Sequence, residues 1–155
     1  MKKTIEFTIP DGYIKDETAS DNTKVVFKLK DVKITDRVKT FNDALSCLPD
    51  EDKDLLIYRT MNNAGITGYA LATQKLVIIV KALNEGWKPD WNNSNEYKYW
   101  PYFDMRSASG FGFSHSLYAY WNTNTNVGSR LCLKSSELAK YAATQFIEIY
   151  KESLI

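Results

Sequence analysis

The chain is predicted to be an α+β protein. It should carry an N-terminal antiparallel β-hairpin, three helices, an irregular aromatic-rich β region and a C-terminal amphipathic helix. Three observations lead there. Apolar and polar residues alternate with period two in residues 4–9 and 24–30, as in half-buried strands. Cap signals and helical spacing recur between residues 40 and 86, and again from residue 135. Between these helical parts lies a stretch with no helical period, dense in aromatic residues. At 155 residues the expectation is a single domain, divided into a hairpin (1–36), a helical segment (37–86), an aromatic β/loop region (87–134) and a closing helix (135–155).

Each element has its own justification. In residues 4–9, Ile5, Phe7 and Ile9 share one face, and Pro10-Asp11-Gly12 is a turn signal. Residues 15–23 are polar and read as a loop. Val25, Phe27 and Leu29 then point inward from a second strand, while Lys28 and Lys30 point outward. A bare hairpin is marginal in water, so its apolar face must cover something. Thr40 reads as an N-cap, with Asp43 three residues on completing a capping box for a short helix over 41–48. Pro49-Asp50-Glu51 suits the first turn of a second helix that runs towards Asn62, where Asn62, Asn63 and Gly65 break it.

The third helix is expected from Thr67 or Tyr69 to Asn84. Leu71, Leu76, Ile78, Ile79, Ala82 and Leu83 make it apolar around most of its circumference, so it belongs inside. Its β-branched run 77–80 conflicts with helix propensity, but length and caps outweigh that, with Gly86 placed to end it. Residues 99–103 and 111–121 read as extended, separated by Ser107-Ala108-Ser109-Gly110. Val127-Gly128-Ser129 is a turn, and residues 130–133 a short strand. Ser135 or Ser136 caps the last helix, whose buried stripe is Leu138, Ala142, Phe146 and Ile149.

Composition excludes several function classes. The net charge of +1 offers no broad field for nucleic acid or an acidic membrane, so no strong nucleic-acid signal is present. No apolar run nears 18 residues, so no membrane span is expected. Met-Lys-Lys-Thr-Ile-Glu-Phe imitates a signal peptide, but Glu6, Pro10 and Asp11 leave it no hydrophobic region, and cytoplasmic synthesis is expected. Cys47 and Cys132 are too few for a disulfide scaffold and read as two reduced thiols. No cofactor and no metal site is expected.

What remains is the aromatic window. Twelve of the chain's 21 aromatic residues lie in residues 87–121, interleaved with Asn92, Asn93, Asn95 and, just beyond, Asn122, Asn124 and Asn126. Rigid rings and short amides give contact area and hydrogen bonds at low entropic cost, which is how recognition surfaces are built. Trp87, Trp100, Phe103, Phe111 and Phe113 are assigned to the core. Trp91, Tyr97, Tyr118, Tyr120 and Trp121, with Asn122 and Asn124, are the candidate binding residues.

Catalytic readings are thinner. Gly110-Phe-Gly-Phe113 matches the centre of an RNA-binding pattern whose aromatics stack on bases, but Ser109, Ser114 and Ser116 break the match. His115 is the only histidine; pairing it with Cys132, or with Ser129 and Asp104, is chemically sensible but demanded by no spacing. Asp90, Glu96 and Asp104 include the carboxylates a glycosidase needs, though ion pairs with Lys88, Lys98 or Arg106 explain them as well.

Longer motifs carry a resemblance. Lys81-Ala-Leu-Asn-Glu-Gly-Trp-Lys-Pro-Asp-Trp91, Tyr99-Trp-Pro-Tyr-Phe-Asp104, Val127-Gly-Ser-Arg-Leu-Cys-Leu-Lys134, Glu137-Leu-Ala-Lys-Tyr141 and Gln145-Phe-Ile-Glu-Ile-Tyr150 cover roughly residues 70–155. In these the chain resembles a family of small uncharacterised proteins of phages, prophages and mobile elements of gut anaerobes. The resemblance implies a phage or mobile-element setting, as a virion component or a host-interaction factor, and no catalytic residue. Residues and resemblance together lead to a non-enzymatic protein with a protein or glycan partner. A single-stranded nucleic-acid accessory factor and a hydrolase are the alternatives.

Overall fold

The structure is a computed structural model that describes residues 8–103 and 118–155. The chain divides into two compact units, Met1–Lys33 and Ile34–Ile155. Helices and small antiparallel strand pairs together make the fold α+β.

In the first unit, strands β1 (Tyr13–Lys15) and β2 (Phe27–Leu29) pair antiparallel, with Tyr13 opposite Leu29 and Lys15 opposite Phe27. The expected first strand over 4–9 lies mostly outside the described residues, and its described end, Thr8 and Ile9, is not in a strand. The ladder starts after the Pro10 turn instead, where Tyr13 N–H donates to the Pro10 carbonyl at 3.0 Å. The polar connection is ordered by two side-chain turns. Asp16 Oδ1 accepts from Thr18 N and Ala19 N, and Asp21 Oδ1 accepts from Thr23 N and Lys24 N. Val25, expected to face inward, is exposed.

The second unit begins with a helix the sequence reading missed, α1 (Ile34–Arg37). Helix α2 (Phe41–Ser46) has the expected capping box: Thr40 Oγ1 accepts from Asp43 N, and Asp43 Oδ2 accepts from Thr40 N. Helix α3 (Lys53–Asn63) starts later than Pro49 implied. Pro49 forms a preceding turn, and Asp52 is the N-cap, accepting from Asp54 N and Leu55 N.

Helix α4 (Tyr69–Asn84) is the axis of the unit. Val77, Ile78, Ile79 and Val80 are all buried. Each β-branched residue costs about 0.5 kcal/mol of helix propensity. Each gains about 1.5–3 kcal/mol by leaving water, so burial decides the conformation. The helix ends at Glu85, whose φ of 50° is left-handed, followed by Gly86 at φ 85°. Glu85 also ties the helix end down: its carboxylate pairs with Arg37 at 2.6 Å and Lys134 at 3.2 Å.

Strands β3 (Lys98–Pro101) and β4 (Tyr118–Trp121) pair antiparallel, with Lys98 opposite Trp121 and Tyr99 opposite Tyr120. The expected strand over 130–133 reduces to one bridge: Tyr99 N donates to the Leu133 carbonyl at 3.0 Å and Leu133 N to the Tyr99 carbonyl at 2.7 Å. The neighbouring backbone groups are taken by the buried Asn84 side chain instead. Its Nδ2 donates to the Cys132 carbonyl at 2.8 Å, and its Oδ1 accepts from Lys134 N at 3.0 Å.

The single C-terminal helix expected from residue 135 is two, α5 (Ser136–Gln145) and α6 (Ile147–Leu154). The chain turns at Phe146 (φ −115°, ψ 29°), whose ring is buried in the core. The turn lets α5 lie against β3 while α6 lies against α4, which one straight helix would not reach. The core gathers Val38, Ile78, Ile79, Leu83, Leu133, Ala139, Ala142 and Phe146.

Candidate functional site

The β3–β4 pair presents two faces, because successive strand residues point opposite ways. Tyr97, Tyr99, Tyr118 and Tyr120 fall on one. Their rings form a continuous cluster: Tyr97 meets Tyr120 edge-to-face at 5.1 Å, and Tyr99 meets Tyr118 at 5.4 Å. Tyr99 and Tyr118 are half-buried against the core, and the Lys140 ammonium of α5 lies 5.2 Å from the Tyr118 ring centre. Tyr97 and Tyr120 remain 46% and 53% exposed, so the outer half of the cluster is open. Burial and the neighbouring Tyr118 phenol raise the Tyr99 phenol above its ordinary value.

Trp121, 51% exposed, belongs to the other face with Lys98 and Trp100. Trp100 is buried as expected; Phe103 is half-buried, with its ring 5.1 Å from Tyr150. Lys98 is fully buried, which the sequence reading did not foresee. Its ammonium donates to the carbonyls of Asp90, Asn93 (3.3 Å), Glu96 (2.8 Å) and Asn122 (2.8 Å), and pairs with the Glu96 carboxylate at 3.1 Å. The Trp91 ring centre lies 5.4 Å from it. Glu96 is partly desolvated, which raises its carboxyl. The Asp90 N–H and the Lys98 ammonium outweigh that and hold it below the ordinary value. Asn122 is half-buried and holds the cage shut, its Nδ2 donating to the Ser94 carbonyl at 2.5 Å. Asn124 is exposed.

Trp91, expected beside Tyr120 and Trp121, is instead part of a cleft of about 390 Å³ against α4. Val77, Val80, Lys81 and Asn84 form the helix side, at the i, i+3, i+4 and i+7 spacing of one helical face. Trp87, Lys88 and Pro89 form a second side, and Ser129 and Arg130 a third. Both indoles are fixed by their N–H groups: Trp91 donates to Ser129 Oγ at 2.8 Å and Trp87 to Glu96 Oε2 at 3.4 Å. Trp87, assigned to the core from sequence, is half-buried here. Asp54 also lines the cleft, but Lys81 pairs with it at 2.7 Å while bonding Asp52 at 2.6 Å. Burial alone would lower the Lys81 ammonium, yet these two carboxylates raise it above the ordinary value. Neither the cage nor the cleft is expected from the sequence; the one signal for the cage is that Lys98 shares a strand face with Trp100, two residues on, and the cleft depends on where α4 lies.

Catalytic constellations fare differently. Asp104, Arg106, Ser109, the 110–113 segment, Ser114, His115 and Ser116 lie outside the described residues. Asp90 spends a carboxylate oxygen on Asn92 N at 2.9 Å, and Glu96 is held in the cage. Cys132 is buried, with its thiol pushed up by desolvation and donating to the Gly128 carbonyl; Cys47 is exposed. Among the described residues no cluster of three His, Cys, Asp or Glu could hold a metal ion. No described helix is long and apolar enough to cross a membrane. Comparison with protein-family models, curated proteins and solved structures finds no match to this chain.

Proposed function

We propose that the protein is a non-enzymatic binding module that uses the β3–β4 hairpin to hold a protein or glycan partner. The observation that carries this reading is the open half of the ring cluster. Tyr97 and Tyr120 meet edge-to-face with about half their surfaces in water, while Tyr99 and Tyr118 brace them from the core side. Braced aromatic rings lose little freedom on binding and offer both an apolar face and a phenol hydrogen bond. The phage or mobile-element setting rests on the motif resemblance, and it makes a virion or host-surface component the partner to try first.

Because Tyr120 and Trp121 face opposite ways, one substitution pair does not test both faces. The full chain, Tyr97→Ala/Tyr120→Ala and Trp121→Ala are each presented to a glycan array and to purified virion and host-surface proteins. The tyrosine pair is expected to lose a ligand that the parent retains, with melting lowered by no more than about 4 °C. A collapse in melting temperature shows that the rings hold the fold instead. Retention of single-stranded DNA or RNA that falls steeply with salt would assign the hairpin to nucleic acid.

A further inference from the structure

The cleft between α4 and the Trp87–Trp91 segment is separate from the tyrosine face and has a different chemistry. We infer that it is a binding site for a small organic anion that combines a flat, largely C–H face with one carboxylate, an aromatic acid or a sugar acid. Four features lead to this class. The volume of about 390 Å³ lies in the range of small-molecule sites and holds one ring with its substituents. Trp87, Pro89 and Trp91 line it together, and flat apolar walls suit a ring or the C–H face of a pyranose.

The walls are set in advance. The Trp91 indole is pinned to Ser129 and lies beside the caged Lys98 ammonium, and the Trp87 indole points to Glu96. A ligand therefore meets groups that are already ordered, which lowers the cost of binding.

The charge is also specific. Among the described residues four ionisable groups line the cleft: Asp54, Lys81, Lys88 and Arg130. Asp54 and Lys81 are paired with each other. Among the described residues Lys88 has no ion-pair partner. Arg130 approaches Asp54 only through Nε at 3.8 Å, beyond hydrogen-bond distance, with its side chain three-quarters exposed. Two cations are thus available at the mouth of an indole-walled cleft. A guanidinium matches a carboxylate in a two-pronged geometry, and a neutral ligand would leave that capacity unused.

The test uses the four tryptophans as reporters. The ¹⁵N-labelled full chain is titrated with phenylacetate and with glucuronate, and with benzyl alcohol and glucose as neutral counterparts. The indole N–H signals of Trp87 and Trp91 are expected to move with at least one of the anions, while those of Trp100 and Trp121 stay in place. Movement with phenylacetate alone assigns an aromatic acid, and movement with glucuronate alone a sugar acid. Lys88→Gln/Arg130→Gln, both at exposed positions, should weaken binding roughly tenfold or more without changing the rest of the spectrum. The inference is overturned if neither anion moves the two signals, if the neutral counterparts move them equally, or if the double variant binds as tightly as the parent. None of these outcomes bears on the tyrosine face, whose ligand is read by Tyr97 and Tyr120.

Discussion

Lys98 is a charge taken wholly out of water, and the surroundings show how that is tolerated. Four carbonyl oxygens and the Glu96 carboxylate replace its hydration shell, and the Trp91 ring covers it. The carbonyls come from the turn ahead of β3 and from Asn122 after β4, so one ammonium closes two loops onto one hairpin. Removing it leaves those part-buried oxygens and the Glu96 carboxylate without their shared donor, which costs more than the apolar contact a methionine would restore. Lys98→Met is therefore expected to lower stability by about 3–5 kcal/mol in urea or guanidinium titration. It should also release both the Trp91 indole and the outer end of β4. A loss under about 1 kcal/mol would mean that water replaces the ammonium and that the cage is not structural.

At the scale of elements, the helix ends are the most local and the most legible features. Ser135 accepts from Leu138 N at 3.3 Å and starts α5, so Ser135→Ala should cost about 1 kcal/mol and lower the melting temperature by roughly 3 °C. Ser135→Asp, which keeps an acceptor at the same place, should recover most of it. Thr40 with Asp43, the long α4 and the Gly86 stop were all readable because each depends on residues within a turn of one another. What was not readable depended on distant partners. The joint at Phe146 carries no proline or glycine; it exists because α5 and α6 bury against different elements. Residues 130–133 look like a strand in sequence, but Asn84, 48 residues away from Cys132, takes the hydrogen bonds a ladder would need. In the candidate site the aromatic density was plain, but only the packing decides that Tyr97, Tyr120 and Trp121 are exposed while Tyr118, placed with them by its sequence neighbours, is half-buried. The division into a tyrosine face, a Trp121 face and a separate Trp91 cleft needed the β3–β4 register and the position of α4.

For the whole molecule, the deciding fact is where the core lies. Every described member of the main buried cluster falls between Ile34 and Tyr150, and the hydrogen bonds from Asn84, Lys98 and Tyr141 that lock it stay within the same unit. Among its described residues the first unit has two strands of three residues each and leaves Tyr13, Ile14 and Val25 exposed. A two-stranded hairpin of that size is marginal in isolation, whatever its side-chain turns contribute. The unit Ile34–Ile155 should consequently fold without residues 1–33. Expressed alone, it is expected to keep a cooperative melt within about 4 °C of the full chain, and to keep the Trp87 and Trp91 indole signals where the full chain has them. A peptide of residues 1–33 should show no cooperative transition. If residues 34–155 instead melt broadly, or far below the parent, the hairpin unit is part of what stabilises the core, and the two units cannot be treated as independent in any binding experiment.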